Sequence, residues 1–262
     1  MPFFYTKPSG TELPIIFSSP HSGREVPPEV MSALLKPFCA TLPDTDFDVD
    51  KLYGFTPSMG CHLLCAKYNR YVIDLNRPPN SEPLYKDGRR ITGLVPTTTF
   101  SGDSLYSVEP DSNEIANRIE KFHTPYHAKI SQLIKDLKTR HPKVVLFECH
   151  SISRQSPGIQ KDPLPDLMIG TDDGNSIPKA LSEKIHSLLS SSGYTTVMNS
   201  PFKGGFITRN YHDLTNGVYS IQLEMSKDLY LDEDTNLIDS KKSAPLQKTL
   251  KEMTDLICQE IS

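Results

Sequence analysis

The sequence predicts an α/β fold with a mixed, mainly parallel sheet and helices on both faces. Apolar strand-like runs alternate with amphipathic helices along the 262 residues, which is typical of folds in which helices cover a parallel sheet. The hydrophobic content of 37% is sufficient for one sizeable core. We therefore expect a single domain over residues 1–262, with its site at the carboxyl ends of the strands.

The first part of the chain contains three candidate strands. "PIIFSSP", "HLLCAKY" and "RYVIDLNRPP" are short apolar runs bounded by turn-forming residues, and prolines stop the third. "PPEVMSALLKPF" predicts a helix with proline in its first turn. "PDTDFDVDKLYGF" predicts a helix with an acidic start, which suits the positive end of the helix dipole.

Residues 80–108 have no period and many turn formers, which predicts a long irregular loop. Residues 110–140 form an amphipathic helix that Pro125 should kink or break. The remaining predicted elements are strand 143–150, strand "DLMIG", helix 177–190, strand "YTTVM", a Gly-rich loop "FKGGFITRN", strand "GVYSIQLEM" and a helix from Pro245.

Bulk properties argue against several classes of partner. The net charge is -4, so there is no overall positive field to attract nucleic acid or an acidic membrane. No apolar run approaches the ~20 residues that span a bilayer, and "MPFFYTKPSG" lacks the regions of a signal peptide. Five cysteines, an odd number, indicate reduced thiols and a cytoplasmic protein. The oligomeric state is left open.

The run "KVVLFECHS" begins as a core strand and ends in chemically active groups. Because strand side chains alternate between faces, Leu146, Glu148 and His150 share one side, while Phe147 and Cys149 share the other. An acid and an imidazole cannot be buried without partners. The other strand ends have to supply these partners.

Polar groups at the other strand ends indicate a hydrolytic metal site. His21 follows "IIFSSP", and His150 ends its strand. Two imidazoles and one carboxylate are the usual protein ligands of a hydrolytic zinc ion, which leaves one position for water. The segment "DTDFDVD" offers Asp44, Asp46, Asp48 and Asp50 for the acidic ligand. We expect one zinc ion, although another divalent metal would fit the same donors.

Such a site also needs a general base and groups that bind substrate. Glu224 ends "VYSIQLE" on the same face as Ser220 and Gln222, and we expect it to be the base. Arg77 and Arg209 lie beside predicted site elements, and the planar guanidinium group suits a substrate carboxylate. The sequence thus indicates a small-molecule substrate bearing carboxylates.

Seven motifs in order resemble the N-formylglutamate amidohydrolase family over nearly the whole chain. They are "SSPHSG", "LPDTDFDVDKLY", "YVIDLNRPP", "HSIS", "LPDLMIGTDDG", "FKGGFITRNY" and "IQLEM". The resemblance implies a zinc-carboxypeptidase-like fold (phosphorylase/hydrolase-like). It also implies hydrolysis of N-formyl-L-glutamate to formate and glutamate, late in histidine breakdown. The related aspartoacylases carry a "DLNR" element, which implies that Asn76 and Arg77 bind the substrate's carboxylate.

The sequence departs from these patterns at two places. Zinc carboxypeptidases and aspartoacylases take two ligands from H-x-x-E, but Arg24 stands three residues after His21, so we expect Asp46 to be the acidic ligand. Asp48 stands where the formylglutamate pattern has histidine.

Arg70 is a candidate for polarising the carbonyl group of the substrate. The alternatives are a hydrolase of another N-acyl amino acid or amide on the same fold, and a catalytically silent binding module.

Overall fold

The carboxyl ends of three parallel strands meet near the centre of a seven-stranded sheet in this computed structural model, which describes residues 1–82, 84 and 92–261. In spatial order the strands are β1 (Phe3–Thr6), β3 (His62–Ala66), β2 (Ile15–Ser19), β4 (Val144–Ile152), β7 (Val218–Ser226), β5 (Leu167–Gly170) and β6 (Thr196–Met198). Strands β2, β4 and β7 are parallel neighbours, while β1 and the β5–β6 pair join the edges through antiparallel contacts. A separate small hairpin pairs β8 (Leu231–Asp232) with β9 (Leu237–Ile238).

Helices cover both faces of the sheet. Side chains of α3, α6 and α8 pack against one face, and those of α5 and α7 pack against the other. The α-helices are α1 (Pro28–Ala33), α2 (Lys36–Thr41), α3 (Val49–Leu52), α4 (Ser112–Arg118), α5 (Thr124–Lys138), α6 (Lys179–Ser191), α7 (Phe206–Tyr211) and α8 (Ser240–Ile261). None of these helices has the length and apolarity that crossing a membrane requires. The predicted mixed, mainly parallel sheet with helices on both faces is confirmed.

The alternation predicted for β4 is confirmed. Val145, Phe147 and Cys149 lie in the core beneath α3, α6 and α8, whereas Val144 and Leu146 lie in the core beneath α5. Glu148 and His150 continue the second set. The polar residues therefore follow an apolar face that α5 and α7 cover.

The segment "YVIDLNR" is not the strand that its apolar residues predict. Residues 69–79 form a series of turns, of which residues 69–76 are nevertheless buried. Their backbone groups bond locally or to loops, as when Val72 N donates to Asn69 O and Asp74 N donates to Leu94 O. Residues of this type favour a strand only where a neighbouring strand edge is available. Here the segment bonds to turns and loops instead of a strand edge.

Helix boundaries also differ from the predictions. Residues 28–41 form two helices, because Pro37 begins the second in its first turn rather than ending the first. Pro125 likewise lies in the first turn of α5, directly after a π-helical turn over Ile119–His123. The loop "FKGGFITRN" becomes α7 from Phe206, and α8 begins at Ser240, before Pro245. Turns and isolated bridges fill the described part of 80–108; residues 83 and 85–91 lie outside the described residues.

Two histidines hold the irregular segment 69–79 against the helical layer. His127 Nε2 donates to Leu75 O at 2.9 Å, and its Nδ1 accepts from the Tyr211 hydroxyl at 2.9 Å. His123 Nε2 donates to Arg77 O at 2.9 Å. The two imidazoles stack at 4.0 Å between centroids. The carbonyls on both sides of Asn76 are therefore fixed from one helical face.

The buried state of His127 predicts a loss of stability in acid. Burial, followed by the charge of His123, lowers the pKa of His127 to about 3, against about 6.5 in an unfolded chain. The unfolded state therefore binds more protons, and stability present above pH 6.5 is lost as the pH falls towards 3. Between pH 6.5 and pH 5 this loss amounts to about 2 kcal/mol.

Urea unfolding at pH 7.5 and pH 5 tests this prediction. The variant His127→Gln keeps a donor for Leu75 O but cannot take up a proton, so its stability should fall less on acidification than that of the wild type. The same drop in both proteins would show that His127 does not contribute to the acid sensitivity.

Candidate active site

Three parallel strands bring two histidines and a glutamate to one rim. His21 follows the end of β2, His150 lies near the end of β4 and Glu224 lies near the end of β7. His150 and Glu224 are directly opposite each other in the β4–β7 register. All three side chains line one pocket together with Asp46. Each has 8% or less of its surface exposed.

His21, Asp46 and His150 form a compact cluster. One ligand atom from each lies within 4.8 Å of the others. Asp46 Oδ2 is 3.1 Å from His150 Nδ1 and 3.8 Å from His21 Nδ1. The backbone N–H of Ser151 also donates to Asp46 Oδ2, at 3.2 Å. Two imidazole nitrogens and a carboxylate facing a common point form a donor set that can hold a metal ion.

A buried carboxylate lies behind each histidine of the cluster. His21 Nε2 donates to Asp74 Oδ1 at 2.7 Å, and His150 Nε2 lies 3.5 Å from Glu148 Oε2. Both carboxylates are fully buried. Metal-binding histidines usually donate their second ring N–H to such a group, which orients the ring. This arrangement leaves the Nδ1 atom of each ring facing Asp46.

The two imidazoles differ in protonation. Burial, followed by the charge of Arg70, lowers the pKa of His21 to about 4, so this ring is neutral. Burial alone would lower the pKa of His150, but its contacts with Asp46 and Glu148 raise it well above the ordinary value. Protonated His150 therefore carries, beside Asp46 and Glu148, a positive charge of the kind that a bound metal cation would provide.

The structure places one of the candidate aspartates with the histidines. Asp46 lies in the cluster, whereas Asp44 Oδ2 accepts from the Tyr71 hydroxyl at 2.8 Å and from Phe100 N at 3.0 Å. The carboxylate of Asp48 pairs with Arg24 and Lys51 and accepts from Ile238 N. Asp48, which stands where the family pattern has histidine, is therefore not among the described residues that line the pocket.

Asn76 joins the irregular segment to the amino end of α7. Its Oδ1 accepts from Ile207 N at 2.8 Å, and its Nδ2 lies 3.1 Å from His150 Nε2. A Cβ atom added to Gly205 would lie 2.2 Å from Asn76 Nδ2. Gly205 N in turn donates to Gln222 Oε1 at 2.9 Å. Close approach of the Gly205 backbone therefore sets the position of the Asn76 amide.

The arginines occupy different places. Arg70 is 4% exposed, lines the pocket and donates to Asp74 Oδ2 at 2.6 Å. Arg77 also lines the pocket, and its guanidinium group donates to Thr92 O and Asn76 O. Arg209 donates to Gly204 O at 2.8 Å and is not among the described residues that line the pocket. The structure thus brings Arg70 and Arg77, but not Arg209, to the pocket wall.

Glu224 is in an environment that favours proton transfer. Burial, followed by the negative charge of Asp46, raises the pKa of Glu224 to about 8, against the opposing charge of His150. Burial would also raise the pKa of Asp46, but the hydrogen bond with His150 and the nearby positive charges hold it below the ordinary value. Two carboxyl groups with separated pKa values at one site are suited to different roles in acid–base chemistry.

The polar strand ends are visible in the sequence, but the contacts that orient them are not. Asp74 and Glu148 stand at the ends of apolar runs, yet their pairing with His21 and His150 depends on how the runs come together. The contact of Gly205 with Asn76 has a weaker signal, the glycine pair in "FKGGF", since paired glycines are typical of close backbone approach.

Comparisons with known proteins place this chain among related sequences. The sequence model of the N-formylglutamate amidohydrolase family matches residues 13–231. The N-formylglutamate deformylase of Pseudomonas putida is 34% identical over 245 residues, which cover 92% of this chain and 91% of that protein. The N-formylglutamate deformylase of Pseudomonas aeruginosa is 37% identical over 224 residues, covering 84% of this chain and 83% of that protein.

A solved structure shows the same fold. The crystal structure of N-formylglutamate amidohydrolase from Ralstonia eutropha JMP134 superposes with a TM-score of 0.86 at 26% identity, covering 99% of this chain and 98% of that chain. The family match spans well over half of the chain, and both bacterial deformylases exceed 30% identity. This chain belongs to the N-formylglutamate amidohydrolase family.

Proposed function

We propose that this chain is a metal-dependent amidohydrolase that cleaves N-formyl-L-glutamate to formate and L-glutamate, a late step of histidine breakdown. The observation that supports metal-dependent hydrolysis is the position of His21, Asp46 and His150, whose ligand atoms lie within 4.8 Å of one another. The buried Glu224 lies beside them. The substrate is inferred from the names of the two bacterial relatives. The same reaction requires a pocket for a small N-acyl amino acid, and the pocket beside the cluster fits that class.

One zinc ion is the metal that suits these donors best. Two imidazoles and one carboxylate are characteristic of catalytic zinc, and the residues behind them satisfy the second nitrogen of each ring. A zinc ion held by His21, Asp46 and His150 would lower the pKa of a bound water and polarise the formyl carbonyl.

Glu224 would act as the general base and then as the general acid. It takes a proton from the attacking water while the water oxygen bonds to the formyl carbon. The C–N bond then breaks, and Glu224 returns the proton to the leaving amine of glutamate. Its place opposite His150 in the β4–β7 register puts it next to the cluster.

Arg70, Asn76 and Arg77 would position the substrate. The guanidinium group of Arg70 lies 3.4 Å from His21 Nδ1, so it can stabilise negative charge that develops on the formyl oxygen. Asn76 and Arg77 line the pocket and would bind a carboxylate of the substrate. A role of Arg209 in substrate binding stays a prediction, since its described contacts are with Gly204, Leu84 and Asp172.

Formate release from N-formyl-L-glutamate tests the proposed function. The purified protein should release formate. Treatment with a chelator should abolish the release until zinc is added back, because the proposed reaction needs the metal to activate water. Metal content is measured alongside by elemental analysis. An enzyme that stays fully active after complete removal of metal would contradict the proposal.

Matched variants locate the metal. His21→Ala and His150→Ala should each lose bound zinc, while His186→Ala, a half-buried histidine on α6 outside the pocket, should keep it. Zinc retained at full occupancy in both ligand variants would refute the assignment.

Replacement of Glu224 tests the proton-transfer step. Glu224→Gln keeps the shape of the side chain but removes the proton acceptor, so turnover should fall by about 10²–10⁴-fold while zinc content and thermal stability are kept. Glu252→Gln, on the exposed side of α8, serves as the control. Near-normal turnover of Glu224→Gln would exclude it as the base, and loss of zinc would make it a ligand instead.

Replacement of Gly205 tests the placement of Asn76. In Gly205→Ala the new methyl group would overlap the Asn76 amide, so Asn76 must shift, and kcat/KM should fall by about 10²-fold. In Gly93→Ala the nearest atom to the new methyl group is 3.7 Å away, so this variant should keep its activity. Equal activity of the two variants would show that catalysis tolerates displacement of Asn76.

A further inference from the structure

A second pocket adjoins the active-site pocket. The two share Phe100, Ser151 and Ile152 in their walls. The second pocket contains none of the metal-cluster residues and neither Asn76 nor Arg77. Its other described lining residues include Asp44, Ser101, Ser153 and Lys227.

Lys227 supplies a buried positive charge to this second pocket. It follows β7 directly, three residues after Glu224, and is 5% exposed. Its ammonium group donates to Pro43 O over 3.5 Å and lies 5.5 Å from the centroid of the Phe47 ring. Within residues 1–82, 84 and 92–261, no carboxylate oxygen lies within ion-pair distance of it. Lys227 lines the pocket, and an ammonium group has three donors, of which Pro43 O takes one.

The surrounding charges leave Lys227 without a close counter-ion. Burial lowers the pKa of Lys227, while the more distant carboxylates of Asp46 and Asp44 raise it. Asp44 also lines the pocket, but its Oδ2 already accepts from Tyr71 and Phe100. A desolvated cation is stabilised by an anion that enters the same pocket. Ser101 and Ser153 line the same pocket, and a serine hydroxyl can donate a further hydrogen bond to such an anion.

We propose that Lys227 and the second pocket bind a carboxylate of the substrate, in addition to the one assigned to Asn76 and Arg77. This inference rests on the proposed function, because N-formylglutamate carries two carboxylates and a single recognition element would leave one of them unbound. The ligand that fits this pocket is a carboxylate of a substrate whose amide carbonyl lies at the cluster of His21, Asp46 and His150. This carboxylate is either the second carboxylate of the glutamate part or a carboxylate on the acyl group.

Substrate discrimination in Lys227→Met tests the inference. We compare kcat/KM for N-formylglutamate, for N-formylglutamine and for N-formylisoglutamine, in which one or the other carboxylate is an uncharged amide. Loss of a charged hydrogen bond should lower kcat/KM for N-formylglutamate about 10- to 150-fold. The monoamide that lacks the bound carboxylate should change little, which also shows that the variant is folded. Lys227→Arg should retain part of the discrimination, and Lys251→Met, exposed on α8, should retain all of it.

A second pair of substrates distinguishes the source of the carboxylate. N-succinylglutamate and N-butyrylglutamate have acyl arms of equal length, with and without a charge. A Lys227-dependent preference for the succinyl compound, with the formyl series unaffected, would assign the pocket to an acyl arm. An equal effect of Lys227→Met on all five substrates, or no effect on any, would overturn the inference.

Binding of the product separates this inference from the proposed function. Calorimetric titration with L-glutamate, L-glutamine and L-isoglutamine needs no turnover, so it gives an answer even if the wild type releases no formate. Affinity for L-glutamate and for one of the two monoamides that depends on Lys227 would support the carboxylate site. Affinity for L-glutamate, L-glutamine and L-isoglutamine that is unchanged in Lys227→Met, together with unchanged discrimination among the substrates, would refute it.

Discussion

The buried contact of Asp74 with His21 and Arg70 holds the site together. Asp74 is fully buried, and its two oxygens accept from His21 Nε2 at 2.7 Å and from Arg70 at 2.6 Å. It lies in the turn-rich segment 69–79, so the contact ties that segment to the end of β2. Because Nε2 of His21 donates to Asp74, its Nδ1 faces Asp46 and the cluster of His21, Asp46 and His150 takes its shape. His127 on α5 and His123 in the π-helical turn before it hold the same segment from its other side.

Burial of charged groups at this site is energetically unfavourable, but it also shifts their pKa values in different directions. Several carboxylates and one guanidinium group are removed from water, and each needs a close partner to remain charged. The partners are unequal: Asp46 and Asp74 have close positive neighbours, whereas Glu224 has mainly distant ones. As a result Asp46 is held ionised, which suits the metal ligand proposed for it, while the raised pKa of Glu224 suits the proton transfer proposed for that residue.

The position at which the chain departs from the family pattern has a structural explanation. Asp48 begins α3 with its carboxylate directed towards Arg24, Lys51 and the backbone of Ile238 in the small hairpin. It therefore connects α3 with the β8–β9 hairpin and is not among the described residues that line the active-site pocket. Lys227, directly after β7, is a basic residue that lines the adjoining pocket. The substrate contacts proposed for this chain therefore do not involve Asp48.

The sequence by itself determined which face of each strand is polar and which strand ends carry His21, His150 and Glu224, because alternation along a strand is a local property of the backbone. The sequence named Asp46 as the expected acidic ligand, but the tertiary structure decided that Asp46 meets the histidines while Asp44 and Asp48 do not, since these residues are only two apart and differ in the neighbours that surround them. It also decided that residues 69–79 form turns and that the guanidinium group of Arg209 lies against Gly204. These outcomes depend on contacts between segments far apart in the chain, which local patterns cannot contain.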